Sequence, residues 1–120
     1  VRVAADGTLW AGNGTTLYRS SDGGTTAAGW TSVKAFGSGK PVKGIGLAKN
    51  DPEFLTVVCD DSTPGDGSVW VSADAVTFEL IPNLANDGWN AAYFSQVDPN
   101  LVYIVGDDDT TRPVMAKLAP

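Results

Sequence analysis

Two segments of this chain share one order of residue types and begin 47 positions apart. Each opens with Asp-Pro, at Asp51 and again at Asp98, continues through an apolar run, and closes with an acidic pair. Asp-Pro favours a turn, and a short apolar run bounded by turn residues is typical of a buried β-strand. A repeat of this length indicates that the chain is built from repeated supersecondary units. Because no stretch has helical periodicity over a useful length, the sequence predicts an all-β protein.

The most specific short motif is a turn between two predicted strands. It contains Ser20, Asp22, Gly24 and Thr26, and Trp30 follows it. A short carboxylate in such a turn accepts hydrogen bonds from backbone N–H groups, and a threonine hydroxyl adds a local bond. Glycine permits the positive φ angles that tight hairpins require. We therefore interpret Asp22 as the centre of a structural hairpin turn and not as a catalytic acid or a metal ligand.

A shorter version of this turn begins 52 positions later. Ser72, Asp74, Thr77 and the aromatic Phe78 are kept, while the glycine is missing and the loop is one residue shorter. The same hydrogen-bond chemistry predicts that Asp74 closes a second hairpin, at a position equivalent to the first.

The first turn resembles an Asp-box, also called a BNR repeat, whose pattern is Ser-x-Asp-x-Gly-x-Thr-Trp. The residues named above fill the first four named positions, Ala27 stands where the pattern has tryptophan, and Trp30 follows after an insertion. The resemblance implies a β-propeller, the fold of sialidases, xyloglucan hydrolases, sortilin-like receptors and photosystem assembly factors. It also implies that these turns lie on an outer rim, away from a central ligand site. Because those proteins differ widely in chemistry, function has to be argued from the site itself.

Three repeats divide the chain, which we treat as a single all-β unit over residues 1–120. The predicted blades are 1–36 and 41–82, with four strands each, and 88–118, with three. This amounts to about 2.7 blades of four-stranded antiparallel sheet, whereas a closed propeller has about four to eight. The chain is thus expected to be a segment of a larger propeller, which the start at Val1 instead of methionine also suggests. Self-association that closes the ring and a smaller β-sandwich are the alternatives.

The charge and the residue types narrow the function classes. The net charge is −6 with a pI near 4.3, and the basic residues are scattered singly, so we expect no nucleic-acid partner. No apolar segment has the length of a membrane span, so we expect no membrane insertion. The chain has no histidine, which excludes Ser-His-Asp and Cys-His catalysis and the usual zinc sites. Because Cys59 is the single cysteine, no intrachain disulfide is possible.

The best candidate ligand site lies at the start of the third predicted blade. Trp89 and Tyr93 fall on its innermost strand, and the preceding loop, which includes Asp87, opens toward the predicted central face. An exposed indole covers the apolar face of a sugar ring, while side chains such as those of Asp87 and Asn90 bind its hydroxyls. These four residues form the predicted glycan-binding site. For Trp89 itself the sequence favours core packing over ligand binding, and Asp87 is also the candidate for a catalytic carboxylate.

Acidic pairs at matching blade positions are candidate metal ligands. Asp60 and Asp61 follow one predicted strand, and Asp107 and Asp108 follow its repeat. Carboxylates this close suit Ca²⁺, which takes about six to eight oxygen ligands, but their spacing does not match the calcium loop of an EF-hand. We expect solvated loop charge and no cofactor, with calcium as the alternative.

The sequence favours a non-catalytic binding or scaffold segment of an Asp-box propeller in an exported or cell-surface protein, with glycan or protein as its partner. A glycosidase needs two carboxylates across a cleft, and the only glutamates, Glu53 and Glu79, lie at predicted peripheral positions. The alternatives are a fragment of a xyloglucanase-like or sialidase-like hydrolase and a structural component of a cell-surface or virion assembly. Whether the chain is an enzyme is left open, with the balance against catalysis.

Overall fold

Three antiparallel β-sheets make up the described part of the chain. The computed structural model describes residues 1–60, 67–81, 88–98, 101–107 and 113–118. No helix among these residues has the length and apolar character needed to cross a bilayer. The elements in chain order are β1 (Arg2–Val3), β2 (Leu9–Asn13), β3 (Thr16–Ser20), a 3-10 helix (Ala27–Gly29), β4 (Trp30–Ala35), β5 (Val42–Leu47), β6 (Leu55–Cys59), β7 (Ser68–Ser72), β8 (Glu79–Leu80), β9 (Gly88–Phe94), β10 (Val102–Asp107) and β11 (Pro113–Leu118).

Each sheet is a meander in which every strand pairs with the next one in the chain. The first sheet has the order β1-β2-β3-β4, the middle sheet β5-β6-β7-β8 and the third sheet β9-β10-β11. All strand pairs are antiparallel. The predicted all-β class and the predicted four-stranded antiparallel sheets are therefore confirmed. Such meanders need only short turns between neighbouring strands, in keeping with the many Gly and Asp turn residues of the sequence.

The middle sheet is covered on both faces. Its register places Leu55, Val57 and Trp70 on one face, called the back face here, and Val58 and Val69 on the opposite front face. Back-face side chains pack against the first sheet, and front-face side chains pack against the third. Every residue of β6 is therefore buried. A strand covered on both sides does not show the polar–apolar alternation of a sheet with one face in water.

Aromatic side chains fill the contact between the first and middle sheets. The ring of Phe36 lies 5.3 Å from that of Trp70 and meets the ring of Phe78 edge-on at 6.1 Å. Trp10 is buried in the same cluster. At its edge, the Lys34 ammonium lies 5.1 Å from the centre of the Trp70 ring, within range of a cation–π interaction. The two sheets are thus held by an apolar core with a cation at its border.

The middle and third sheets approach each other closely along β5 and β9. A Cβ atom at Gly44 would lie 2.8 Å from the Cα of Ala91, and one at Gly46 would lie 3.1 Å from the carbonyl oxygen of Ala92. Glycine in a strand interior is usually unfavourable, and it marks places where another backbone comes near. The two glycines of β5 therefore permit the first strands of neighbouring sheets to pack backbone against backbone.

Candidate functional site

The first Ser-x-Asp turn joins β3 to β4 and is held by side-chain hydrogen bonds. The buried Ser20 hydroxyl donates to Asp22 Oδ1 at 2.7 Å and accepts from the Gly24 N–H at 2.9 Å. The Thr26 hydroxyl donates to Asp22 Oδ2 at 2.6 Å. The hydroxyls of Thr26 and Ser20 hold the pKa of Asp22 at about 2. The carboxylate is ionised at neutral pH, and both of its oxygens are engaged inside the turn.

The insertion before Trp30 is accommodated without opening this hairpin. Ala27–Gly29 forms the 3-10 helix, and Thr26 caps it by accepting from the Gly29 N–H at 3.0 Å. The Trp30 ring comes back beneath the turn, with Cζ2 3.4 Å from the position that a Cβ at Gly24 would take. Trp30 therefore packs under the hairpin from three residues beyond the position of the tryptophan in the Asp-box pattern.

The second Ser-x-Asp turn joins β7 to β8 and repeats the central bonds of the first. The Ser72 hydroxyl donates to Asp74 Oδ1 at 3.1 Å, and Asp74 Oδ1 also accepts from the backbone N–H groups of Val76 and Thr77 at 2.9 and 2.7 Å. The backbone N–H groups of Thr77 and Val76 lower the pKa of Asp74 to about 2. Ala75 adopts φ = 60°, the left-handed region in which the first turn has a glycine.

A cleft lies beside β1 and β5, the first strands of the first and middle sheets. The Ser-x-Asp hairpins join the third and fourth strands, at the other end of the strand order of each sheet. The volume of the cleft is about 370 Å³, within the range of roughly 300–1,000 Å³ common for ligand sites. The exposed cations Arg2 and Lys43 lie on its walls in a protein of net charge −6. The cleft is lined by Val1, Arg2, Gly12, Val42, Lys43, Gly44 and Ile45.

Arg2 links this cleft to the third sheet. Its Nε donates to the carbonyl oxygen of Ile45 at 3.2 Å, and its guanidinium carbon lies 5.6 Å from the centre of the Tyr93 ring. The side chain therefore crosses β5 and reaches β9. Tyr93 remains 54% exposed. We call Arg2, Lys43 and Tyr93, together with the cleft, the inner-strand site. It offers a guanidinium beside an aromatic ring and an ammonium on the cleft wall, and such donors suit hydroxyl-rich or anionic ligands.

The predicted glycan-binding residues have different environments in the structure. Trp89 is 4% exposed and packs in the core between the middle and third sheets, the environment that the sequence favours for it. Asn90 and Tyr93 are exposed on the same strand. Asp87 lies outside the described residues. Tyr93 is thus brought next to Arg2, while Trp89 lies in the core.

The acidic residues considered for calcium are partly outside the described region. Asp60 directly follows β6, and its N–H donates to the carbonyl oxygen of Pro41 at 3.0 Å. Asp107 is the last residue of β10, while Asp61 and Asp108 lie outside the described residues. Among the His, Cys, Asp and Glu side chains that the structure describes, no three are grouped so that they could hold a metal ion.

No protein-family model, curated protein or solved structure matches the chain. The candidate site is therefore defined by the geometry of the molecule itself. Sequence reasoning missed Arg2 and Lys43 because each is a single basic residue among apolar and glycine neighbours, with no basic cluster to mark it. The sequence did contain one signal. The 47-residue repeat aligns Lys43 with Asn90, and Arg2, Lys43 and Asn90 each lie on the first strand of a sheet.

Proposed function

We propose that the chain is a segment of an Asp-box β-propeller and acts as a non-catalytic binding or scaffold module of an exported or cell-surface protein. One observation carries the proposal. Hairpins with the same Ser–Asp hydrogen bonds join the third and fourth strands of two consecutive four-stranded meanders, and those meanders pack face to face. Repetition of one sheet with one outer turn is the plan of a propeller blade array.

The stacking of the sheets also favours a propeller over a sandwich. In a sandwich two sheets face each other, and each buries one face. Here the middle sheet buries both faces, because its two neighbours lie on opposite sides. Serial packing of this kind extends naturally into a ring of blades.

A binding role is supported by the inner-strand site. The first strands of propeller blades line the central opening, and Arg2, Lys43 and Tyr93 belong to the first strands β1, β5 and β9. Aromatic and hydrogen-bonding groups beside a cleft are the usual components of a glycan site. A non-catalytic role is supported by the positions of the glutamates: Glu53 lies in the turn before β6, and Glu79 lies on β8, the last strand of its sheet.

The test is binding of a neutral xyloglucan oligosaccharide and an acidic oligogalacturonide, measured by isothermal titration calorimetry. We expect Lys43→Gln and Tyr93→Ala to weaken binding by about tenfold or more, since each removes a direct contact. Lys49→Gln is the matched control, because this exposed lysine lies just beyond the other end of β5. Equal losses of oligosaccharide affinity in Lys43→Gln and Lys49→Gln would contradict binding at the inner-strand site. Turnover of either oligosaccharide by the chain would contradict the non-catalytic role.

A further inference from the structure

The first sheet has an uncovered face that matches a buried face of the middle sheet. The registers of the two sheets align through their hairpin serines: Leu9 pairs with Ser20 as Leu55 pairs with Ser72. Two pairs further along, and so on the same face, Ala11 and Tyr18 correspond to Val57 and Trp70. These first-sheet residues therefore form its back face. In the middle sheet the equivalent β6 positions are fully buried by the first sheet.

The back face of the first sheet is apolar and only partly covered. Leu9, Ala11, Tyr18 and Trp30 are half-buried, and Val3, which pairs with Leu9, is 65% exposed. The face carries a groove of about 390 Å³. The groove is lined by Ala11, Asn13, Tyr18, Ala27 and Trp30. A neighbouring apolar surface is the usual explanation for a patch of this kind.

The third sheet has a complementary face that is only partly buried, as far as the described residues show. Its register places Ile104 and Ala92 on the back face, which packs on the middle sheet. Tyr103, Val105 and Ala91 point to the opposite front face. These three residues are half-buried, and none of them belongs to either core cluster.

We propose that the back face of the first sheet is an interface for the front face of the third sheet in a second copy of this chain. Within the chain, the front face of the first sheet packs on the back face of the middle sheet, and the front face of the middle sheet packs on the back face of the third sheet. The two uncovered faces are one front and one back, so a second copy continues the same packing at either end. This inference rests on the sheet packing and does not depend on ligand binding.

Two copies joined in this way contain six sheets, which lies within the roughly four to eight blades of closed propellers. The contact is head to tail, and in a closed pair it occurs twice, related by a twofold axis. Both uncovered faces of each copy would then be buried, as both faces of the middle sheet already are.

The proposal is tested by the mass of the protein in sedimentation equilibrium at micromolar concentrations. We expect twice the 12.5 kDa of one chain. Ala11→Arg and Val105→Arg should each give monomers, because each places a charge in one partner face. Val76→Arg is the matched control, since Val76 is 68% exposed in the β7–β8 hairpin, away from both faces. Circular dichroism checks folding. If either variant fails to fold, Asn13→Arg or Tyr103→Lys replaces it on the same face.

Mixing the two variants distinguishes head-to-tail pairing from other dimers. An Ala11→Arg chain keeps an intact third-sheet face, and a Val105→Arg chain keeps an intact first-sheet face. One of the two contacts is therefore intact in their equimolar mixture, which should dimerise more strongly than either variant alone, although less strongly than the unmodified chain. A wild-type protein that stays monomeric up to about 100 μM, far above the micromolar range in which specific interfaces usually hold, would overturn the proposal. A dimer that resists Val105→Arg, or a mixture that stays monomeric, would overturn it as well.

Discussion

The first and middle sheets follow the same plan, yet they bury different fractions of their side chains. Both are four-stranded meanders with a Ser-x-Asp hairpin between the third and fourth strands. In β6 of the middle sheet all five residues are buried, whereas in the equivalent β2 only Trp10 is. The difference comes from the neighbours, because the middle sheet has one on each side. Burial in a repeat array is thus a property of the position in the stack as much as of the repeat's own sequence.

The two hairpins differ in what holds them. Asp22 is bound mainly by the hydroxyls of Thr26 and Ser20, whereas Asp74 is bound mainly by backbone N–H groups. The second turn has lost its glycine, and Ala75 takes up the left-handed conformation at φ = 60°. One carboxylate therefore closes both turns through different donors.

The largest expected effect is at the equivalent leucines of the two sheets. Leu55→Ala should lower the free energy of unfolding by about 2–5 kcal/mol, the usual cost of a cavity in a packed core. Leu9→Ala should cost about 1 kcal/mol or less, because Leu9 is only half-buried. Urea unfolding at equilibrium measures both values.

These leucine variants should be made in the Val105→Arg background, so that no second copy covers the first sheet. In the unmodified chain at high concentration, the cost of Leu9→Ala should rise toward that of Leu55→Ala. Equal costs for the two leucines in the Val105→Arg background would show that the first sheet is covered by something other than a second copy.

A smaller effect is expected where the middle sheet meets the third. Gly44→Ala should lower the free energy of unfolding by about 1–3 kcal/mol, because the new methyl would press on the Ala91 backbone. This outweighs the gain of about 0.4–1 kcal/mol that alanine usually brings by restricting the unfolded chain. Gly46→Ala should cost less, since its nearest neighbour lies at 3.1 Å. Urea unfolding of both variants provides the comparison, and a stabilising Gly44→Ala would contradict the close approach of β5 and β9.

The smallest effect separates the two hairpins. Thr26→Val should raise the pKa of Asp22 from about 2 toward 3.8, because the Thr26 hydroxyl is its main donor. Thr77→Val should leave the pKa of Asp74 close to about 2, because the backbone N–H of residue 77 is kept. Carboxyl ¹³C NMR titration measures both, and equal shifts would mean that the two turns are held alike.

The same pKa values set the sign of the pH dependence. Both carboxyls have folded pKa values below the unfolded value of 3.8, so their contribution to stability is present above about pH 4 and is lost as the pH falls toward 2. Asp74 is exposed and Asp22 is only half-buried, so solvent screening limits this contribution. Asp22→Asn combined with Asp74→Asn should flatten this part of the stability profile.

Local features of the fold and one residue of the inner-strand site, Tyr93, could be predicted from the sequence, while the two cations of that site could not. The strand repeats and the two Ser-x-Asp turns depend on hydrogen bonds within about four residues of Asp22 and Asp74, so the sequence carries them directly. Arg2 is different: it binds the carbonyl oxygen of Ile45, 43 positions away, and meets Tyr93 on another sheet. No local sequence pattern predicts such long-range contacts.

Trp89 illustrates the same limit on a single strand. Apolar and aromatic residues occupy both faces of β9, so the sequence alone does not say which face another sheet covers. The structure turns Trp89 toward the middle sheet and Tyr93 away from it.

The amino-acid sequence by itself determined the β-strands, their grouping into repeats and the turns that close the hairpins, because these depend on alternation and on short-range hydrogen bonds. Only the tertiary structure decided which sheet faces are buried, which tryptophan belongs to the core and which cations meet an aromatic ring. The physical reason is that burial and long-range contacts depend on neighbouring sheets, and a repeat of the same sequence pattern has different neighbours at each place in the stack.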